Sequence, residues 1–181
     1  MGVNMKKVTI SGHPGSGTST LVEGLRNYFS WTSINGGQIF RNEAHERGMT
    51  LAEFGDLCSS DETVDLTLDD KLRNHIQDRV TNIIESRLAG WWAHKLQFDC
   101  IRIWLNVSEE ERAIRVTKRE GISLDEAINS NKARLMVDNE RYQKMYGLIP
   151  EDPTPYTHII DATDITAEQV VNEAIRILGD E

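Results

Sequence analysis

Between Val8 and Phe29 the chain passes from a short β-branched segment, Val8-Thr9-Ile10-Ser11, through Gly12-His13-Pro14-Gly15-Ser16-Gly17-Thr18-Ser19 into a stretch where Leu21, Val22, Leu25, Tyr28 and Phe29 recur at helical spacing. A β-branched run closed by glycine predicts a strand, and the recurrence after it predicts a helix. The segment between them has the frame G-x-x-x-x-G-x-[ST], which requires that strand before it and that helix after it. Three glycines in six residues cost backbone entropy and fill no core. They let backbone N–H groups converge on phosphate oxygens at the positive end of a helix, with Ser19 where a hydroxyl would ligand Mg²⁺. Gly12 to Thr20 therefore read as the cradle of a nucleoside triphosphate. The competing reading is a tight strand-to-helix turn that binds nothing, with His13 as a solvent-facing filler. One position departs from the frame: Thr18 stands where a lysine normally reaches the terminal phosphates.

Further strand-like runs follow at Trp31 to Ile34, Asn82 to Glu85, Ile101 to Leu105 and His158 to Ile160, with helical stretches between them. Strands alternating with helices predict an α/β fold, a parallel sheet flanked by helices, in a single domain spanning 1–181. Helix starts are marked by Ser108 before Glu109-Glu110-Glu111, Ser123 before Leu124-Asp125-Glu126 and Thr166 before Ala167-Glu168-Gln169, each a capping-box arrangement. Gly147 to Tyr156, with Pro150, Pro153 and Pro155, reads as a loop returning to the last strand. Trp91-Trp92 and the stripe Val170, Val171, Ala174, Ile175 and Leu178 read as core. No linker or repeat interrupts the chain.

Charge narrows the partners. The 20 Lys+Arg against 29 Asp+Glu leave a net charge of −9, which argues against an extended nucleic-acid or anionic-membrane footprint, so any phosphate must meet local cations. Of 181 residues, 39% are hydrophobic and 27% charged, the balance of a globular chain. Two cysteines, Cys58 and Cys100, lie far apart without metal-ligand spacing, and no apolar run of about 18 residues occurs. A cytoplasmic protein that acts on small molecules is expected.

Arginines supply the local cations. Arg41 follows Gly36-Gly37-Gln38-Ile39-Phe40 and Arg87 follows Glu85-Ser86, both near strand ends, where ligands sit in α/β sheets. Arg112, Arg115 and Arg119 fall at i, i+3 and i+7, and Arg134, Asp138 and Arg141 at i, i+4 and i+7, so each set shares a helical face. Either set reads as a salt-bridged solvent face or as the cation cluster that phosphoryl transfer needs.

Ile10-Ser11-Gly12 through Ser19-Thr20, Gly37-Gln38-Ile39-Phe40-Arg41, Glu46-Arg47-Gly48-Met49, Arg87-Leu88-Ala89-Gly90-Trp91, Lys118-Arg119-Glu120-Gly121 and Arg141-Tyr142 through Tyr146-Gly147 resemble, in order, the archaeal-type cytidylate kinases. That branch often carries threonine at the place of Thr18. The resemblance implies the nucleoside monophosphate kinase fold, with an acceptor-binding insertion over about 37–80 and a helical lid over about 112–147. It implies transfer of the γ-phosphoryl of ATP to CMP or dCMP with Mg²⁺ by a monomer. It puts Gly12 to Thr20 on the ATP phosphates and Arg41 and Arg115 on the acceptor phosphate. Arg87 falls on the cytosine side, Arg134, Asp138 and Arg141 in the lid and ribose segment, and Arg119 beside the lid, with Arg115, Arg134 and Arg119 as the catalytic cations. Where the family usually shows serine-alanine-glycine the chain has Asn35-Gly36-Gly37, and Ser86 replaces a glycine. Leu135, Met136 and Val137 are more apolar than the charged lid of the family. These departures leave open a kinase for UMP or another small acceptor, and a nucleotide-binding regulator without turnover.

Overall fold

The computed structural model describes residues 6–179. Val8–Gly12 forms β1, buried along its whole length, as the apolar alternation of Val8 and Ile10 with the compact Thr9 and Ser11 allows. After it come α1 (Thr18–Phe29), β2 (Ser33–Asn35), α2 (Gly36–Glu46), α3 (Leu51–Ser60), α4 (Glu62–Gln77) and β3 (Ile83–Glu85). The second half runs α5 (Ala89–Lys95), β4 (Ile101–Asn106), α6 (Glu109–Glu120), α7 (Leu124–Tyr146), β5 (His158–Asp161) and α8 (Ala167–Gly179). The strands form one sheet in the order β2-β3-β1-β4-β5, with every neighbouring pair parallel. All strand ends therefore point to one edge, and β1, the strand that leads into the glycine loop, is central.

Both sheet faces are covered. On one, Leu21 and Leu25 of α1 and Val170, Ala174 and Leu178 of α8 pack on Val8, Ile10 and Ile103. On the other, Leu72 and Ile76 of α4 and Trp92 of α5 pack around Ile84 and Leu88. Trp91 is half-buried, its indole N–H donating to the Ile149 carbonyl at 2.8 Å. Residues 37–80 hold most of α2 with α3 and α4, which enclose a small core of their own around Ala44, Phe54 and Val64. Lys7 pins this part to the sheet: its buried ammonium donates to the carbonyls of His75 at 2.6 Å and Ile76 at 2.8 Å, the negative end of α4.

Caps fix where the helices begin. Ser123 and Glu126 exchange both bonds of a capping box, and Thr166 and Gln169 do likewise. At Ser108 the forward bond from the Glu111 N–H forms, at 3.2 Å, but the Glu111 carboxylate turns to Arg115 at 2.8 Å instead of closing the box. Thr50 and Glu53 build a further complete box at the start of α3, unread in the sequence. Among the described residues no helix is long and apolar enough to cross a membrane.

Candidate active site

The loop after β1 takes its shape from its glycines. Gly15 and Gly17 sit at φ +83° and +92°, and a Cβ on Gly15 would lie 2.9 Å from the Arg112 carbonyl oxygen, so neither place tolerates another residue easily. Gly17 is also the N-cap of α1 and offers no side-chain cap. No acidic residue lies in the first turn, so its N–H groups face outward as an anion site. His13 is not solvent-facing. Its ring packs edge-on against Trp104 with centroids 5.0 Å apart, its Nδ1 is buried without a partner, and its Nε2 lies 3.9 Å from Glu151. Burial lowers its pKa.

In place of the loop lysine, Thr18 donates from Oγ1 to Glu85 Oε1 at 2.5 Å, and Ser19 Oγ reaches the same oxygen at 3.3 Å. Glu85 was missed among the sequence candidates. Its signal was available: a carboxylate closing the apolar strand Ile83-Ile84, at the strand end where α/β folds bind ligands. A hydroxyl and a carboxylate meeting at a phosphate cradle form the oxygen donor set that suits a hard cation such as Mg²⁺.

Arg112 and Arg115 lie behind the loop. Arg112, 6% exposed, donates to the carbonyls of Val107 and Pro14, each at 3.3 Å. Arg115 gives Nη1 to Ser16 O at 2.9 Å, Nη2 to Ala162 O at 2.6 Å and Nε to Glu111. Its guanidinium is thus fastened to backbone and, in this structure, lies outside the cleft that Arg41, Arg87, Arg134 and Arg141 line. Arg119 likewise stands off the cleft, exposed and paired with Glu120 at 2.6 Å. Arg115 and Arg119 thus form the ion pairs of a salt-bridged face, one of the two readings their spacing leaves open.

In front of the loop opens a cleft of about 1220 Å³ between α2, α4 and α7. It brings together Ser19, Arg41, Arg87, Arg134, Asp138 and Arg141. Arg41 and Arg134 are exposed. Arg141 donates to Asp65 at 3.2 Å and to the Tyr142 hydroxyl at 3.2 Å. Burial opposes its charge, yet Tyr142, Asp65 and Asp69 hold it protonated. Burial in turn pushes the Tyr142 phenol up to about 12. Arg141 Nε and Ser86 Oγ are buried and lack partners within the chain, although both residues line the cleft. Buried polar atoms are nearly always paired, so these two are uncommon features of the cleft wall. Asp65 and Asp69 of α4, also missed in the sequence, sit on the same wall. Arg87 lines the same cleft, its Nη1 donating to Gly12 O and its Nε to Asp138, both at 3.2 Å.

Comparison with known proteins fits this geometry. A family profile described as "AAA domain" matches residues 8–136. A cytidylate kinase of Halobacterium salinarum is 40% identical over 149 residues, 82% of this chain and 77% of that protein. Those of Methanosarcina mazei (40%, covering 86% and 87%) and Methanospirillum hungatei (36%, covering 95% and 97%) extend the match. The chain belongs to the cytidylate kinase family. Among solved structures, a shikimate kinase from Bacteroides thetaiotaomicron superposes with TM-score 0.63 at 15% identity, covering 96% of this chain and 98% of that one. A gluconokinase from Sinorhizobium meliloti superposes with TM-score 0.62 at 14% identity, covering 97% and 93%. These place the fold of this cytidylate kinase family member among the P-loop kinases. The threonine at position 18 thus sits within a kinase, and the positive charge at its phosphate loop comes from elsewhere in the fold.

Proposed function

We propose that the chain transfers the γ-phosphoryl group of ATP to CMP and dCMP, releasing ADP. The observation that carries this reading is the cleft: Arg41 of α2 and Arg134 and Arg141 of α7 line one cavity with Ser19 of the glycine loop, as a phosphorylated acceptor requires. Its family supports a cytidine nucleotide as that acceptor. Backbone N–H groups of Gly15, Gly17, Thr18 and Ser19 hold the ATP phosphates, while that of Ser16 donates to the His13 carbonyl within the loop. Ser19 and Glu85 would hold Mg²⁺, whose charge neutralises the phosphates being separated. Arg41 and Arg134 hold the acceptor phosphate, and Asp138 and Arg141 orient its nucleoside. One anionic oxygen of the CMP phosphate bonds to the γ-phosphorus as the bond from that phosphorus to the β,γ-bridging oxygen breaks. No proton need move, so no general base is required, and catalysis consists of positioning and charge stabilisation. Arg115 and Arg119 are left out of this scheme.

Residues 37–80 serve as the acceptor-binding part and 112–147 as the lid, whose closure excludes water. The chain works as a monomer in the cytoplasm, where Cys58 and Cys100 stay thiols. The test is ADP release from ATP and Mg²⁺ with CMP, dCMP, UMP, AMP or no acceptor. Preference for CMP or dCMP is expected. Turnover with UMP instead would trace to Asn35, Gly36 and Ser86, which line the cleft. Triphosphate binding without turnover on any acceptor would replace the kinase by a nucleotide-binding regulator.

A further inference from the structure

Lysine is missing from the phosphate loop, yet a cation touches the loop from the cleft side. Three guanidinium groups among the described residues bond to carbonyls of this loop: Arg87 to Gly12, Arg112 to Pro14 and Arg115 to Ser16. Two of them stand behind the loop. Arg112 is buried beneath it, and Arg115 is fastened to Ser16, Ala162 and Glu111. Arg87 alone of the three lines the cleft.

Sheet register explains its position. β1 and β3 are parallel with Ile10 opposite Glu85, so two residues further on Gly12 and Arg87 come abreast, and the Nη1 bond to Gly12 O closes that approach. Two of the five guanidinium N–H donors are taken by Gly12 and Asp138, and Asp138 fixes the orientation of the plane. Meanwhile the side chain at position 18, where the lysine would start, ends at Glu85, an anion. Beyond the Mg²⁺ that Ser19 and Glu85 would hold, the residue at position 18 brings no positive charge to the terminal phosphates of the donor.

We propose that Arg87 takes over the task of the missing lysine, as a guanidinium delivered by β3 where an ammonium is normally delivered by α1. It binds the β- and γ-phosphates of ATP from the cleft side while holding Gly12, and its bond to Asp138 links that contact to α7. This rests on the kinase reading but assigns Arg87 to the donor nucleotide rather than to the acceptor base. Guanidinium suits the task, because its fork spans two phosphate oxygens while a third donor keeps the backbone contact.

The test separates donor from acceptor by equilibrium binding. The non-hydrolysable β,γ-imido analogue of ATP and, separately, CMP are titrated calorimetrically into the wild-type chain, Arg87→Ala, Arg87→Lys and the double variant Arg87→Ala/Thr18→Lys, with thermal melts to check folding. Arg87→Ala is expected to weaken the analogue by about tenfold to a hundredfold and CMP by several-fold less, the CMP loss coming only through its partner Asp138. Arg87→Lys should keep part of the analogue affinity. Thr18→Lys should restore about tenfold in the Arg87→Ala background, a coupling that a merely structural role does not produce. Weakened CMP with an unchanged analogue would overturn the proposal, as would equal loss of both without recovery by Thr18→Lys. A chain that binds the analogue but phosphorylates no CMP would sink the acceptor assignment and leave this split measurable. A wild-type chain that binds no triphosphate would sink both.

Discussion

Behind the phosphate loop, Arg112 and Arg115 of α6 direct their N–H groups at backbone carbonyls; in front of it, Arg41, Arg134 and Arg141 border an open cleft. The residue type is the same and the consequence opposite. Arg112 and Arg115, which do not line the cleft, tie the loop to α6 through these carbonyls. An arginine on the wall of an open cleft keeps donors for a ligand. Spacing along a helix cannot separate the two cases, because a shared face is silent about what it packs against.

The largest effect should come from the front. Arg41→Ala or Arg134→Ala is expected to lower kcat/KM with CMP by about 10²- to 10³-fold, the scale of removing one preorganised charge from a phosphoryl-transfer site. Both residues are exposed, so stability should change by about 0.5 kcal/mol or less and the melting temperature by about 1–2 °C. Steady-state ADP release and calorimetry on the same samples read both quantities. Unchanged turnover with a lowered melting point would turn the comparison round.

Next in size is Glu85. Glu85→Gln keeps an oxygen to accept from Thr18 and Ser19 but removes the charge, so the Mg²⁺ concentration for half-maximal turnover should rise on the order of tenfold. Titrating Mg²⁺ at fixed ATP measures it. A drop in turnover that saturating Mg²⁺ leaves untouched would show that the carboxylate acts only on the two hydroxyls.

Most of the frame was legible before any coordinates. All five strands could be read, because β-branched runs between helical stretches are strong local signals, and β2 differs by only a residue or two, at Ser33–Asn35. The glycine loop was legible because its φ angles demand glycine. The missing parts depend on register and packing. Glu85 and Arg87 reach the loop because β3 lies beside β1 in parallel register, a pairing between residues some seventy positions apart in the chain. The partners of Arg115 are not legible from spacing, because the carbonyls of Ser16 and Ala162 come to it from other segments. His13 reads as filler in a loop, but the ring lies against Trp104 of β4, which only the sheet order brings near.

Behind the loop the expected effects are on stability. Arg115→Ala leaves the carbonyls of Ser16 and Ala162 without their donor, at a cost of about 2 kcal/mol. For a chain of this size that lowers the melting temperature by roughly 4–8 °C. At a temperature where the variant is folded, turnover should fall far less than in Arg41→Ala. Equal losses of turnover in the two variants, with matched melting points, would mean that Arg115 leaves its carbonyls to join the reaction.

The smallest effect concerns His13. Its folded pKa lies below the ordinary value because burial beneath the loop disfavours the cation and Arg112 and Arg87 add repulsion, which Glu151 and Asp138 only partly offset. In unfolded chains the imidazole titrates near about 6.5. Between its folded pKa and that value the unfolded state binds more protons, so stability rises with pH across this window. It is complete above the unfolded value and is lost as pH falls below it. His13→Phe retains a ring for the edge contact with Trp104 and loses an Nδ1 that has no partner together with the Nε2 that lies 3.9 Å from Glu151. Melting temperatures from pH 7 to 5 should therefore fall less steeply in the variant than in the parent chain. The other four histidines are common to both, so the difference in slope isolates this site. Identical slopes would mean that His13 takes up its proton as readily as in water, and that the back of the loop opens to solvent far more easily than the carbonyl bonds of Arg112 and Arg115 imply.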